Sequence, residues 1–301
     1  MKIAPLIHSR TGECDYNSKF AVRPMNFSAD SISWARSKIL AATRNIDRLN
    51  GIRRLVATKD GVCIAGIVCT MKYFINNCLS SENKNDAKIY ADVQGRLYGV
   101  FLGYVFKSNG NEIPVVTESD LWQWFEKYLA PEWNRKSAQT VEVDYFDWDN
   151  VAPARAGETP PTDRYFDVQL YDAAKFDDEN LFREYLSEAL TATNEIAFCS
   201  NVDKIQPVEE GIYTAITTSA KNIAALKNHA QEQPQQAVQP EKKTSGLAPQ
   251  KQSEVPTVSK PTNPATVHKQ SQLTPTNGKF LSPTLLIGLI SILAIIFFMT
   301  R

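Results

Sequence analysis

Residues Arg53–Met71 read "RRLVATKDGVCIAGIVCTM", and their pattern decides the fold class. Two β-branched, apolar arms flank Asp60-Gly61, a dipeptide whose residues accept the positive φ of a tight hairpin turn. The second arm is apolar at odd and even positions alike, and so is the later run "RLYGVFLGYVFK" at Arg96–Lys107. Strands of that kind belong in the middle of a sheet covered on both faces. Gly99 and Gly103 stand on alternate positions of the later run, which points to close packing against one face.

Helices are legible on either side of this core. Asp30–Asn50 places Ile32, Ile39, Ile46 and Leu49 at helical spacing with Arg36, Lys38, Arg44 and Arg48 between them, and Gly51 follows as a stop. In "VTESDLW", Thr117 is the N-cap, Asp120 the N3 partner and Val116 a staple onto Leu121. That helix runs to Pro131 and carries Trp122, Trp124, Phe125 and Tyr128, a packing surface best placed between layers. "TVEVDYF" reads as a half-buried strand with Val141, Val143 and Tyr145 on one face, and "APARAGETPPTD" as a surface loop. The pattern then alternates: strand 165–171, helix 177–192, strand 195–200, helix 207–230. A βαβ unit of this kind implies parallel strands. The expected fold is an α/β or α+β globular region over residues 1–230, a mixed sheet with flanking helices, built as one domain or as two packed lobes, 1–150 and 165–230.

Beyond residue 230 the composition changes. Residues 231–279 hold no aromatic residue and seven prolines, with Lys242, Lys243, Lys251, Lys260, Lys269 and Lys279 against three acids. Such a segment cannot bury enough apolar surface to offset its ordering entropy, so a disordered linker is expected, reaching on the order of 40 Å. Residues 280–301 read "FLSPTLLIGLISILAIIFFMTR". Ser282 and Pro283 open a helix as N-cap and N1 residues, and Leu285, Gly288, Ile292, Ile296 and Phe298 lie along it. About 18 uncharged residues give roughly 27 Å, enough to cross a hydrocarbon core. The lysine excess before the span puts the folded region on the cytoplasmic side, which makes the chain a single-pass, tail-anchored membrane protein. Gly288, Ser291 and Ala294 form a small-residue stripe through which spans could self-associate.

Charge and cysteine usage limit the function classes. Lysine plus arginine equals aspartate plus glutamate at 33 each, so the totals imply no nucleic-acid partner. The first 54 residues carry about ten basic groups against four acidic ones, a candidate contact for an anionic surface, whereas residues 55–230 are net acidic. The five cysteines, at 14, 63, 69, 78 and 199, include no CxxC pair. Cys63 and Cys69 would share one strand face about 20 Å apart, too far to bridge. They read as small buried hydrophobes in a reducing compartment. The start of the chain, broken by Pro5 and closed by Arg10, does not read as a signal peptide.

Chemistry-bearing motifs are few. No phosphate-cradling, dinucleotide, GxSxG or EF-hand pattern occurs, and no cofactor is expected. Of three histidines, His229 and His268 fall at the last helix's end and in the linker, so His8 alone can serve a folded site. In "IHSRTGECDY", His8 and Asp15 can form a base with its orienter, Cys14 a nucleophile and Arg10 an anion clamp. The same residues equally make a hydrogen-bonded N-terminal loop. In "VDYFDWDN", Asp144, Asp147 and Asp149 are candidate hard-oxygen metal ligands, with a solvated strand end as the plainer reading and no metal expected. The expected function is therefore a binding, adaptor or sensing module that recruits a macromolecular, protein partner to the membrane. The alternatives are a membrane-surface enzyme using His8, Arg10, Cys14 and Asp15, and a membrane-disrupting effector that oligomerises through its span.

Overall fold

The computed structural model describes residues 1–10, 19–49, 51–79, 98–107, 111–132, 139–155 and 162–232. Met1–Val238 form one compact unit and Gln239–Arg301 a second, which lies outside the described residues. So do residues 233–279 of the expected linker, the apolar span, Cys14 and Asp15, whereas residues 231 and 232 belong to the last helix.

At the centre is the hairpin of β3 (Arg53–Lys59) and β4 (Val62–Thr70). Its turn residues have φ of 51° at Asp60 and 73° at Gly61, the pair of positive values that a two-residue type I′ turn needs. β5 (Gly99–Lys107) pairs antiparallel with β4, and β1 (Lys2–His8) with β5. Alternation separates the layers. On β4, Cys63, Ala65, Ile67 and Cys69 face one core, while Ile64 and Val68 face the other.

Beyond β1 lie β2 (Val22–Pro24) and β7 (Val141–Val143), and β8 (Phe146–Asp147) pairs with the start of β1. On the opposite side, β3 pairs antiparallel with β12 (Ile196–Cys199). Next come β13 (Ala215–Thr218), β11 (Val168–Asp172) and the edge strand β10 (Asp163–Tyr165). β12, β13 and β11 are parallel to one another. Among the described residues, eleven strands thus make one mixed sheet, and β6 (Glu112–Pro114) with β9 (Val151–Pro153) a small separate one.

Helices cover both faces. One carries α2 (Met71–Asn77), α3 (Glu118–Trp124, continued by a π turn over Phe125–Leu129) and α4 (Asp178–Thr191). The other carries α1 (Ala29–Thr43), the short α5 (Gln206–Glu209) and α6 (Ala220–Glu232). The aromatic helix lies within the core: Trp122 is stacked on Phe125 at 5.0 Å, and Trp124 meets Tyr104, Phe146 and Trp148 edge-on. The capping box of Thr117 and Asp120 is formed in both directions.

Three sequence readings change. The helix of residues 30–50 stops at Thr43, because Arg44 turns to an extended ψ of 126° and Asn45 takes a left-handed φ of 54°; a single 3-10 turn, Ile46–Arg48, follows. The strand of residues 165–171 is the β10–β11 hairpin, turning at Phe166. The helix of residues 207–230 is broken at Gly211 (φ 66°), and the β-branched Ile216, Thr217 and Thr218 enter the sheet as β13. β1 is an addition, since Lys2–His8 had read only as a broken apolar stretch.

Gly66 and Gly103 sit opposite each other on β4 and β5. A Cβ on Gly66 would lie 2.5 Å from the Cα of Gly103, and one on Gly103 would strike the Ala65 carbonyl oxygen and the Phe101 ring. Gly99 admits Ile46, which a Cβ there would meet at 2.7 Å. Gly103→Ala is therefore expected to destabilise the protein by about 1–3 kcal/mol or more, read as a lowered urea midpoint, whereas Gly51→Ala, with Leu49 at 3.9 Å, shows a far smaller shift.

Candidate functional site

The parallel part of the sheet has its crossovers on opposite faces. From β11 the chain leaves to α4 on one face, and from the adjacent β13 to α6 on the other. At such a reversal the carboxyl ends of the strands open a crevice, the usual ligand position in α/β sheets. Polar side chains converge there from β3, from the turn after β12 and from the first turn of α4.

Asp178 stands at the centre of this cluster. Its carboxylate accepts from the Thr217 hydroxyl at 2.7 Å and the Asn201 amide at 2.5 Å. Asn201 has a left-handed φ of 53°, donates a second amide bond to the Ile52 carbonyl, and its backbone N–H donates to Thr217 Oγ1. Burial pushes the Asp178 carboxyl above the usual carboxylate range, against the opposing pull of Thr217, Arg54 and Asn201. The folded protein consequently keeps this proton at pH values where the unfolded chain has released it. Its contribution to stability falls as pH rises from the ordinary aspartate value through the raised one.

Two adjacent arginines face opposite layers here, as successive residues of a strand must. Arg53 is buried and saturated. Its Nε donates to the Asn201 carbonyl at 3.0 Å, one terminal nitrogen to the carbonyls of Ala42 and Arg44 at 2.6 and 2.8 Å, and the other to Asp203 at 2.5 Å. It caps the carboxyl end of α1, where a cation also suits the helix dipole. Arg54 points to the other layer and makes longer contacts: 3.3 Å to Glu179 and 3.6 Å to Glu118. Its guanidinium lies 5.8 Å from the Phe182 ring centre. Beside it is a cavity of about 130 Å³ between α4, the start of α3 and the paired strands β6 and β9. Cys78 is close by, its thiol pushed up to about 11 by burial and by Glu118.

The sequence candidates lie elsewhere. His8, at the end of β1, meets the Phe20 ring edge-on at 6.0 Å, and Arg10 stands 5.9 Å over the Tyr98 ring. Their proposed companions Cys14 and Asp15 lie outside the described residues. Asp144 and Asp149 are exposed, and Asp147 pairs with Lys2 at 3.5 Å. Among the described residues no three His, Cys, Asp or Glu side chains gather as a metal ion would need. Two of the basic residues of 30–50 are paired with carboxylates: Lys38 bonds Glu195 at 2.5 Å and also the Ile212 carbonyl, and Arg44 bonds Glu210. Burial pushes Glu195 up, but Lys38 and Trp34 outweigh it and hold its carboxyl below the usual range. The crevice is not legible in the sequence while residues 211–218 read as helix, because β13 is then missing from between β11 and β12. The signal was the Gly211-to-Thr218 stretch, a glycine followed by β-branched residues.

No family model, no curated protein and no solved structure matches this chain. The contrast between the two arginines is open to measurement. Arg53→Met strips three carbonyls of their donor and is expected to cost at least about 3 kcal/mol, whereas Arg54→Met, which loses only long, partly solvated pairs, changes stability by about 1 kcal/mol or less. Urea unfolding of the two variants checks this.

Proposed function

We propose that this chain is a membrane-anchored recognition module, in which an α/β domain is held at a bilayer by a single span in residues 280–301 and recruits a protein partner there. The observation that carries the reading is the uncharged run from Leu281 to Thr300, long enough for a hydrocarbon core. The lysine-rich stretch before it favours a cytoplasmic position for the folded domain. Among the described residues no helix is long and apolar enough to cross a membrane, so the reading rests on that run alone. A linker of roughly 49 residues lets the domain search some tens of ångströms from its anchor and raises its local concentration at the surface. Lysines of the linker add attraction to anionic lipid, about 1 kcal/mol for each one close to the bilayer.

Phe166 supports a recognition role for the domain. It is 60% exposed, and its φ of 49° is one that a bulky side chain adopts only under strain. The ring packs edge-on against Tyr165 at 4.7 Å, beside a basin of about 420 Å³ that Val168, Val208 and His229 help to line. Backbone strain of this kind clusters at ligand clamps, active sites and switch regions.

Removing residues 280–301 is expected to move the protein from the membrane pellet to the soluble fraction with its circular dichroism unchanged. Retention in the pellet would overturn the anchor. For recruitment, chemical crosslinking of the full-length protein in its native membranes is expected to give one stoichiometric adduct that Phe166→Ser removes; an adduct unaffected by that change would place recognition elsewhere.

A further inference from the structure

We infer that the cavity beside Arg54 binds a small zwitterion bearing one carboxylate and one ammonium group, the chemistry of a free apolar α-amino acid. The inference goes beyond membrane anchoring and does not depend on it. The cavity volume of about 130 Å³ is well below the ~300 Å³ at which pockets for drug-sized ligands begin. It suits a molecule smaller than that class.

Its charged lining is balanced, with Arg54 and Arg183 against Glu118 and Glu179. A simple anion would meet the two carboxylates and a simple cation the two guanidinium groups. A molecule carrying both charges satisfies each set. The depth of the groups gives the orientation. Arg54 has 16% of its side chain exposed and forms the inner wall, whereas Glu118 and Glu179 are 36% and 49% exposed and stand at the mouth. Arg183, 46% exposed, is also at the mouth and pairs with Glu179 at 2.7 Å, so the carboxylate goes inward to Arg54 and the ammonium outward to Glu118. Phe182 and Leu186 supply apolar surface for a short side chain.

Arg54 is suited to exchange partners. Its 3.6 Å contact to Glu118 is longer than a hydrogen bond and its 3.3 Å contact to Glu179 is a long one. The other carboxylate oxygen of Glu179 bonds Arg183 at 2.7 Å. A ligand carboxylate can meet the Arg54 fork with two parallel N–H donors, a stronger arrangement than either existing pair. Asp178, the residue before Glu179, does not compete, because it is held by Thr217 and Asn201. Neighbouring Arg53 shows what a structural arginine looks like on this strand; Arg54 lacks that saturation.

The test is calorimetric titration of the full-length protein in detergent micelles with alanine, valine, leucine and methionine, and with the N-acetyl and amide derivatives of each. The expected result is one saturable site for at least one free amino acid, with a Kd of about 1 mM or tighter. Acetylation or amidation should each weaken binding at least about tenfold, since each removes one charge. Arg54→Met should abolish it with the thermal melt retained. Glu118→Gln, on an exposed first helical turn, should weaken it severalfold and serves if the arginine variant fails to fold. No saturable heat with any free amino acid, equal binding of the derivatives, or binding undiminished in a folded Arg54→Met or Glu118→Gln protein would each overturn the inference.

Discussion

One buried guanidinium ties three separate lengths of this chain together. Arg53 begins β3, reaches across one face of the sheet to the last carbonyls of α1, and from there to Asn201 and Asp203 after β12. A charge with 2% of its surface exposed is tolerable only where its donors are met, and here each nitrogen of the fork is. β3 is also where the antiparallel half of the sheet meets the parallel half. Its pairing with β12 runs from Leu55 opposite Cys199 to Thr58 opposite Ile196, and Ser200 prolongs it, its N–H donating to the Arg54 carbonyl and its hydroxyl accepting from the Arg54 N–H. The hairpin, β5 and β1 hang from one edge of β3, and β13, β11 and β10 follow from the other.

The alternation of a strand turns one dipeptide into two roles. Arg53 enters the layer of α1 and is consumed by backbone carbonyls. Arg54 enters the layer of α3 and α4, where its partners are carboxylates on exposed first turns. A cation among backbone carbonyls stabilises a fold; a cation at the inner wall of a small, charge-balanced cavity is available for recognition. Neither residue is distinguishable from the other in the sequence, because the difference lies in which elements the topology packs over each face.

What could be read from the sequence follows the same division between local and non-local causes. The Asp60-Gly61 turn, the Thr117–Asp120 box and the two-sided apolarity of β4 and β5 depend on neighbours within a few residues, and each is present. β1 was not legible, because Pro5 marks a strand interior as improbable and the strand is completed by long-range pairing with β5. β13 was lost because Pro207 and two glutamates make a good helix start that Gly211 ends after one turn. The basic character of α1 suggested an anionic partner, but Glu195 and Glu210 come to it from more than 150 residues away. The apolar run of residues 280–301 is the opposite case, where sequence carries the whole reading.

β3 and β12 join the two halves into one cooperative sheet, and native-state hydrogen exchange tests that directly. The amides of Arg53–Lys59 and Ile196–Cys199 should share a single opening free energy with Val62–Thr70 and Gly99–Lys107, equal to that of global unfolding. If Ile196–Cys199 and Ala215–Thr218 instead opened together at a lower free energy while the hairpin stayed protected, the seam would not be the structure's support and the central role of Arg53 would be contradicted.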